Sequence, residues 1–219
     1  MSHRSDHLSP ELNDYILAHS TPADPLLAEL AEVTAARFPD FTGLQIGPEQ
    51  GRFMTMLTRL AGARSAVEVG TFTGYSSICV ARGLAAGGRL LCCDVNEEWT
   101  SLARQYWQKD GVADRVELRL GPGLDTLRGL PAQATLDISF IDADKESYIG
   151  YWDEIVPRTR PGGIILVDNT IFHNSVLDLG NRAASVQGIR DFNDHALADG
   201  RVELVLLPIG DGLTLARRK

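Results

Sequence analysis

Cysteine is scarce. The 219 residues hold three, Cys79, Cys92 and Cys93. An odd, sparse count in a chain without an export signal reads as reduced thiols, not as a disulfide framework. No second pair of ligands lies at metal spacing around them, so they read as small buried hydrophobes. Cys92 and Cys93 are adjacent, which on a strand sends them to opposite faces. Long apolar runs are absent too, and none approaches the roughly 18 residues that a membrane helix needs. Residues 1–14 lack the apolar core of a signal peptide, so the expected location is the cytoplasm. Basic charge is in deficit, with 21 Lys and Arg against 29 Asp and Glu and a net charge of −8. Without a basic stripe, that balance weighs against a nucleic-acid partner and sits well with a small-molecule enzyme. The short tail Arg217-Arg218-Lys219 reads as a solvated end. Repeats, low-complexity tracts and linkers are also missing. With 44% hydrophobic and 23% charged residues the chain is neither disordered, collagen-like nor a coiled coil. Its length suits a single domain over 1–219, divided into N-terminal helices (1–60) and a core (61–219).

What is present changes character along the chain. Ser9-Pro10 and Asp24-Pro25 each pair a capping residue with Pro at a first helical turn. Leu26, Leu27, Leu30 and Val33 then share a helical face, and Pro39 ends that helix. Gly47-Pro48 opens a third helix with Phe53, Met54, Leu57 and Leu60 on its apolar side. Beyond residue 60, short apolar runs at 66–69, 89–93, 116–120, 136–141 and 163–167 alternate with helical segments such as 76–84 and 99–107. That alternation predicts βαβ units and a parallel sheet. Ile164 to Val167 are apolar at every position, as in a strand covered on both faces. Residues 202–207 and 213–216, joined through Gly210-Asp211-Gly212, predict an antiparallel hairpin at the C-terminus.

In an open α/β sheet, ligands bind at the carboxyl ends of the strands. The first strand ends in Glu68-Val69-Gly70-Thr71-Phe72-Thr73-Gly74-Tyr75-Ser76, where glycines permit a sharp turn and Ser76 is placed to start a helix. The spacing is neither the G-x-G-x-x-G of dinucleotide enzymes nor a P-loop. The second strand ends at Asp94, an acid placed either to accept ribose hydroxyls or to cap the next helix. With the glycine loop upstream, a nucleoside is the better reading. Glu68 adds negative charge near the same crevice, which favours a cationic ligand over a pyrophosphate. The fourth and fifth strands end in Asp142-Ala143-Asp144-Lys145 and Asp168-Asn169. Two carboxylates and an amide oxygen suit a hard divalent cation such as Mg²⁺, Mn²⁺ or Ca²⁺, although the same residues read also as helix caps and an Asx turn. Lys145, three residues after Asp142, is a candidate base if its surroundings lower its pKa.

These segments, with Arg160-Pro161-Gly162-Gly163, Pro208-Ile209-Gly210-Asp211-Gly212 and Leu44 to Gly51, resemble the motif set of the cation-dependent S-adenosylmethionine O-methyltransferases, the caffeoyl-CoA and catechol O-methyltransferase group. The motifs follow the family's order over roughly residues 40–219. The resemblance implies a Rossmann-like three-layer αβα sandwich, with a mostly parallel seven-stranded sheet, a C-terminal antiparallel hairpin and preceding N-terminal helices. It implies S-adenosylmethionine bound by Ile46, Glu68, Gly70, Thr71, Ser76, Asp94, Gly123 and Asp142, with Asp94 on the ribose and Gly123 near the adenine. It places the metal on Asp142, Asp168 and Asn169, makes Lys145 the base and sets His173 toward the substrate. It also implies a homodimer. The expected chemistry is chelation of two adjacent acceptor oxygens, loss of a proton to Lys145, and in-line attack on the sulfonium methyl. Catechol-like or hydroxycinnamoyl-type phenols fit best. A carrier-bound or tRNA-borne hydroxyl is the alternative, a nucleotide-dependent oxidoreductase or a non-catalytic nucleoside-binding module more distant ones. The family's apolar-Trp-Gly after Asp168-Asn169 is replaced here by Ile171-Phe172-His173-Asn174, which bears on acceptor identity.

Overall fold

The computed structural model describes residues 8–22 and 24–219, so part of the stretch read for an export signal lies outside the described residues. Three helices open the chain: α1 (Pro10–Ala18), α2 (Pro25–Arg37) and α3 (Pro48–Leu60), with a 3₁₀ segment Pro39–Leu44 between the last two. Both expected caps form. Ser9 accepts from the Leu12 amide, and Asp24 accepts from those of Leu26 and Leu27. The core then alternates β1 (Ser65–Val69), α4 (Tyr75–Gly83), β2 (Arg89–Asp94), α5 (Glu97–Asp110), β3 (Val116–Leu120), α6 (Gly123–Arg128), β4 (Leu136–Ile141), α7 (Tyr148–Arg158), β5 (Thr159–Val167), α8 (Ala184–Ala198), β6 (Val202–Leu207) and β7 (Leu213–Arg218).

The seven strands lie in the order β3-β2-β1-β4-β5-β7-β6. The first five are mutually parallel, and β7 runs antiparallel to both β5 and β6, which makes β6-β7 the expected hairpin. β5 begins at Thr159, four residues before the apolar run that marked it. Alternate strand residues feed two cores. Ala66, Cys92, Phe140 and Leu166 join the face covered by α2 to α5, while Val67, Cys93, Ile141 and Ile165 join the face covered by α6 to α8. The adjacent cysteines thus part to opposite faces, free and buried. Leu60 departs from its expected place. It is 82% exposed, and α3 instead buries Gln50, Met54, Thr55 and Thr58. The Thr55 and Thr58 hydroxyls bond the helix's own carbonyls, and Thr55 also reaches the Cys79 carbonyl of α4. Internal bonding lets these threonines fill a face that a hydropathy pattern assigns to leucines.

Candidate active site

The chain order reverses between β1 and β4, where the connections leave on either side and open a crevice beyond the strand ends. A cavity of about 470 Å³ lies there. Ile46, Gly70, Thr71, Ser76, Asp94, Gly123, Asp142, Lys145, Asp168, Asn169 and His173 all line it. One anticipated residue does not. Glu68 is 0% exposed and points with Cys92 and Phe140 into the α4 face of the sheet. Strand alternation decides this, because Val69 occupies the face that opens beside Tyr151. Burial pushes the Glu68 carboxyl up to about 8. The hydroxyls of Ser76 and Thr71 oppose the shift in part, and the charges of Asp142 and Asp94 reinforce it. The Glu68 carboxyl thus lies behind the crevice and not in its lining.

The glycine loop is held from beneath. Gly70 has φ +90° and its amide donates to the Cys93 carbonyl at 2.9 Å. A Cβ there would lie 1.8 Å from the Asp142 carbonyl oxygen, so only glycine lets β1 and β4 diverge this closely. Asp94 accepts from the Thr71 amide at 2.9 Å and the Phe72 amide at 2.8 Å through one oxygen, and from the Asn96 amide at 2.8 Å through the other. The helix that follows is capped by Asn96, so Asp94 is not its cap. Ser76 sits in the first turn of α4 but makes no capping bond; Gly74, at φ 92°, begins that helix.

Facing this loop is an all-oxygen cluster. Parallel pairing of β4 with β5 sets Asp142 and Asp168 on neighbouring strand ends, the Asp168 amide donating to the Ile141 carbonyl at 3.0 Å. Asn169 follows in the left-handed region, φ 57°, a strained setting that persists where the surroundings fix it. Lys145 Nζ joins the set. It lies 3.0 Å from Asp142 Oδ1, 2.6 Å from Asn169 Oδ1 and 2.7 Å from the Tyr148 hydroxyl. Asp168 is 3% exposed, and burial together with the Asp142 charge pushes it up to about 7. Its oxygens accept from Gln50 Nε2 and from the Asn169 amide, each at 2.8 Å. Among the described residues no three His, Cys, Asp or Glu side chains gather as a metal site. The candidate set has two carboxylates and one amide oxygen, and two of its members, Asp142 and Asn169, already bond a cationic group.

Three participants had no assigned role in the sequence. Gln50 and Asp211 lie inside recognised motifs, 44–51 and 208–212, but nothing local shows that they reach the β5 end. Tyr148, fully buried, reads as a core aromatic. Asp211 fixes the loop that follows β5. Its carbonyl accepts from the amides of Ile171 and Phe172, and its Oδ1 accepts from the His173 amide at 2.6 Å. Phe172, His173 and Asn174 are consecutive left-handed residues at φ 49°, 52° and 62°.

Residues 17–219 match the family model described as O-methyltransferase. The chain is 36% identical over 231 residues to caffeoyl-CoA O-methyltransferase 2 of Zea mays, covering 100% of this chain and 86% of that protein. It is 36% identical over 215 residues to catechol O-methyltransferase domain-containing protein 1 of Mus musculus, covering 95% and 81%. Among solved structures, an O-methyltransferase from Bacillus cereus in complex with SAH superposes with a TM-score of 0.87 at 33% identity, covering 95% of this chain and 97% of that one. The O-methyltransferase TomG from Streptomyces achromogenes, in complex with SAM, gives 0.86 at 31%, covering 95% and 96%. With the family model, the relatives' sequences and the superposed structures in agreement, the chain belongs to the family of S-adenosylmethionine-dependent O-methyltransferases.

Proposed function

We propose that the protein methylates one hydroxyl of a small catechol-like or hydroxycinnamoyl-type phenol and needs a divalent cation to do so. The observation that carries this reading is the Lys145 ammonium held between Asp142 Oδ1 and Asn169 Oδ1 beside buried Asp168. Two like charges on neighbouring strand ends, with an amide oxygen aimed at the same point, suit a hard cation. Asp142, Asp168 and Asn169 would hold it. A bound Mg²⁺ or Mn²⁺ would lower the pKa of a chelated phenol.

The chain's own residues do the rest. Gln50 and the Asn169 amide hold the Asp168 carboxylate in one orientation. Lys145 Nζ, beside the Tyr148 hydroxyl, is placed to receive the acceptor proton only as the neutral amine, after its ammonium has given up a proton and left the oxygens to a bound cation. On the donor side, the loop 70–76 and Asp94 form the cradle for the nucleoside, Ile46 borders the methionine end and Gly123 the adenine. Glu68 Oε2 is buried behind this loop without a hydrogen-bond partner. With both partners seated, the two sides of the cavity would align the acceptor oxygen with the sulfonium methyl, so that the O–C bond could form as the S–C bond breaks and the neutral thioether leaves.

The cavity lining contains one Lys and no Arg, which favours a small acceptor over a tRNA-borne or polyphosphate-carrier hydroxyl. We also propose a homodimer. α1 buries only Asn13 and leaves Leu12 and Tyr15 exposed, apolar surface that a second copy would cover. The test of the main reading is a methyl-transfer screen with labelled cofactor over catechols, hydroxycinnamoyl thioesters and catechol amino acids, with and without EDTA. Turnover of a vicinal diol that EDTA abolishes supports it. Full turnover under exhaustive chelation overturns the cation requirement, and turnover confined to acceptors without vicinal oxygens overturns the substrate class.

A further inference from the structure

Helix α8 lies outside the cavity lining, yet it touches both halves of the acceptor site. At one point it presses on the candidate base. A Cβ on Gly188 would lie 2.7 Å from the Lys145 carbonyl oxygen, so the helix backbone seats directly on the turn that carries this lysine. One turn on, Asn193 Nδ2 donates to the Thr170 carbonyl at 2.9 Å, immediately after Asn169. Between them, Arg190 spends its whole guanidinium on the segment that follows. Its Nε donates to the Val176 carbonyl at 3.0 Å, one terminal nitrogen to Asn181 at 2.9 Å, and the other to Ser175 at 2.9 Å and to the Asp178 carbonyl. Four carbonyls of residues 175–181 therefore converge on one side chain.

The segment needs such a hold. It contains a single 3₁₀ turn, Ser175–Leu177, and enters through three consecutive left-handed residues. A positive φ is a costly conformation for a residue other than glycine, and it persists only where the surroundings fix it. Asp211 fixes the entry at His173, and Arg190 fixes the remainder. The planar fork of Arg matches several acceptors in fixed directions, which an ammonium does not.

We infer that Arg190 is the positioning residue of the acceptor wall and sets which of two adjacent hydroxyls is methylated. This rests on the catechol-type reading above. A chelated diol presents two chemically similar oxygens, so regiochemistry follows from where the ring substituent is held. Of this loop Phe172 and His173 line the cavity, and the residues whose carbonyls Arg190 holds follow them directly in the chain. Arg190 itself touches no substrate and acts through the loop.

The experiment compares wild type with Arg190→Gln and Arg190→Lys on a catechol bearing a propionate side chain. It reads the meta-to-para product ratio, acceptor KM, cofactor Kd and Tm, and it follows hydrogen exchange over residues 173–182 of the cofactor-free protein. Arg190→Gln is expected to raise acceptor KM about tenfold, move the product ratio at least about threefold toward one, accelerate exchange in 173–182, and leave cofactor Kd within about twofold. Arg190→Lys, which keeps the charge and loses the fork, should fall between. A lowered Tm with unchanged ratio, KM and exchange would overturn the inference. If Arg190→Gln does not fold, Arg190→Lys decides by the same readouts. If the wild type methylates no vicinal diol, the functional reading fails by itself, and exchange still decides whether Arg190 holds the loop.

Discussion

Glu68 makes a quantitative test of how this sheet treats a charge. The side chain is fully buried between β2 and β4, one oxygen has no hydrogen-bond partner, and burial raises the carboxyl from an ordinary 4.5 to about 8. In the unfolded chain it ionises near 4.5. Between these values the unfolded state releases its proton while the folded state keeps it. The contribution to stability is therefore fully present below about pH 4.5 and is lost as pH rises toward 8. The gap between the two values corresponds to roughly 4–5 kcal/mol at full development. Glu68→Gln keeps the shape and removes the titration. Urea unfolding of cofactor-free wild type and variant at half-unit steps from pH 5 to 8.5 measures the difference. The variant should gain on the wild type steadily with pH and be more stable by several kcal/mol at the alkaline end. Curves that run parallel across the range would show that Glu68 titrates normally, and the account of its burial would be wrong.

The remaining predictions concern the site. Asp94→Ala strips three backbone amides of their acceptor, at about 1–3 kcal/mol for each donor left buried and unpaired. Calorimetry should show cofactor affinity reduced at least about tenfold with a lowered Tm, and unchanged affinity would remove Asp94 from the cradle. EDTA should abolish turnover while leaving cofactor affinity nearly intact, Mg²⁺ or Mn²⁺ should restore it, and Asp168→Ala should mimic the chelator. Loss of Mn²⁺ binding in Asp168→Ala, followed by electron paramagnetic resonance, checks this independently of activity. Lys145→Ala should slow turnover by about 10²–10⁴ and strengthen Mn²⁺ binding, because the competing ammonium leaves two of the three oxygens; wild-type turnover would end its assignment as base. Sedimentation at micromolar concentration should give a dimer, and a monomer there refutes the proposed pairing of the exposed N-terminal apolar surface.

The sequence by itself determined the helices, the strands and their ends. Ser9-Pro10 and Asp24-Pro25 cap helices by local bonds, and β5 is apolar at alternate and intervening positions because both its faces are covered. Strand ends are local features too, so Gly70, Asp94, Asp142, Asp168 and Asn169 were legible as a set at one end of the sheet, and all of them line the cavity. Tertiary structure decided what depends on distant partners. Gln50 reaches Asp168 across 118 positions, and no local period encodes that meeting. Glu68 precedes the last residue of β1 and is sealed in the sheet, whereas Asp94 ends β2 one position beyond the Val69–Cys93 pair and bonds the glycine loop, a difference set by the pairing register. Leu60 was assigned inward by hydropathy and faces solvent, because close packing of α3 on α4 selects self-bonded threonines over a leucine. Arg190 carries no motif. Its role arises when α8 is laid beside the β5 end and four loop carbonyls come within reach of one guanidinium.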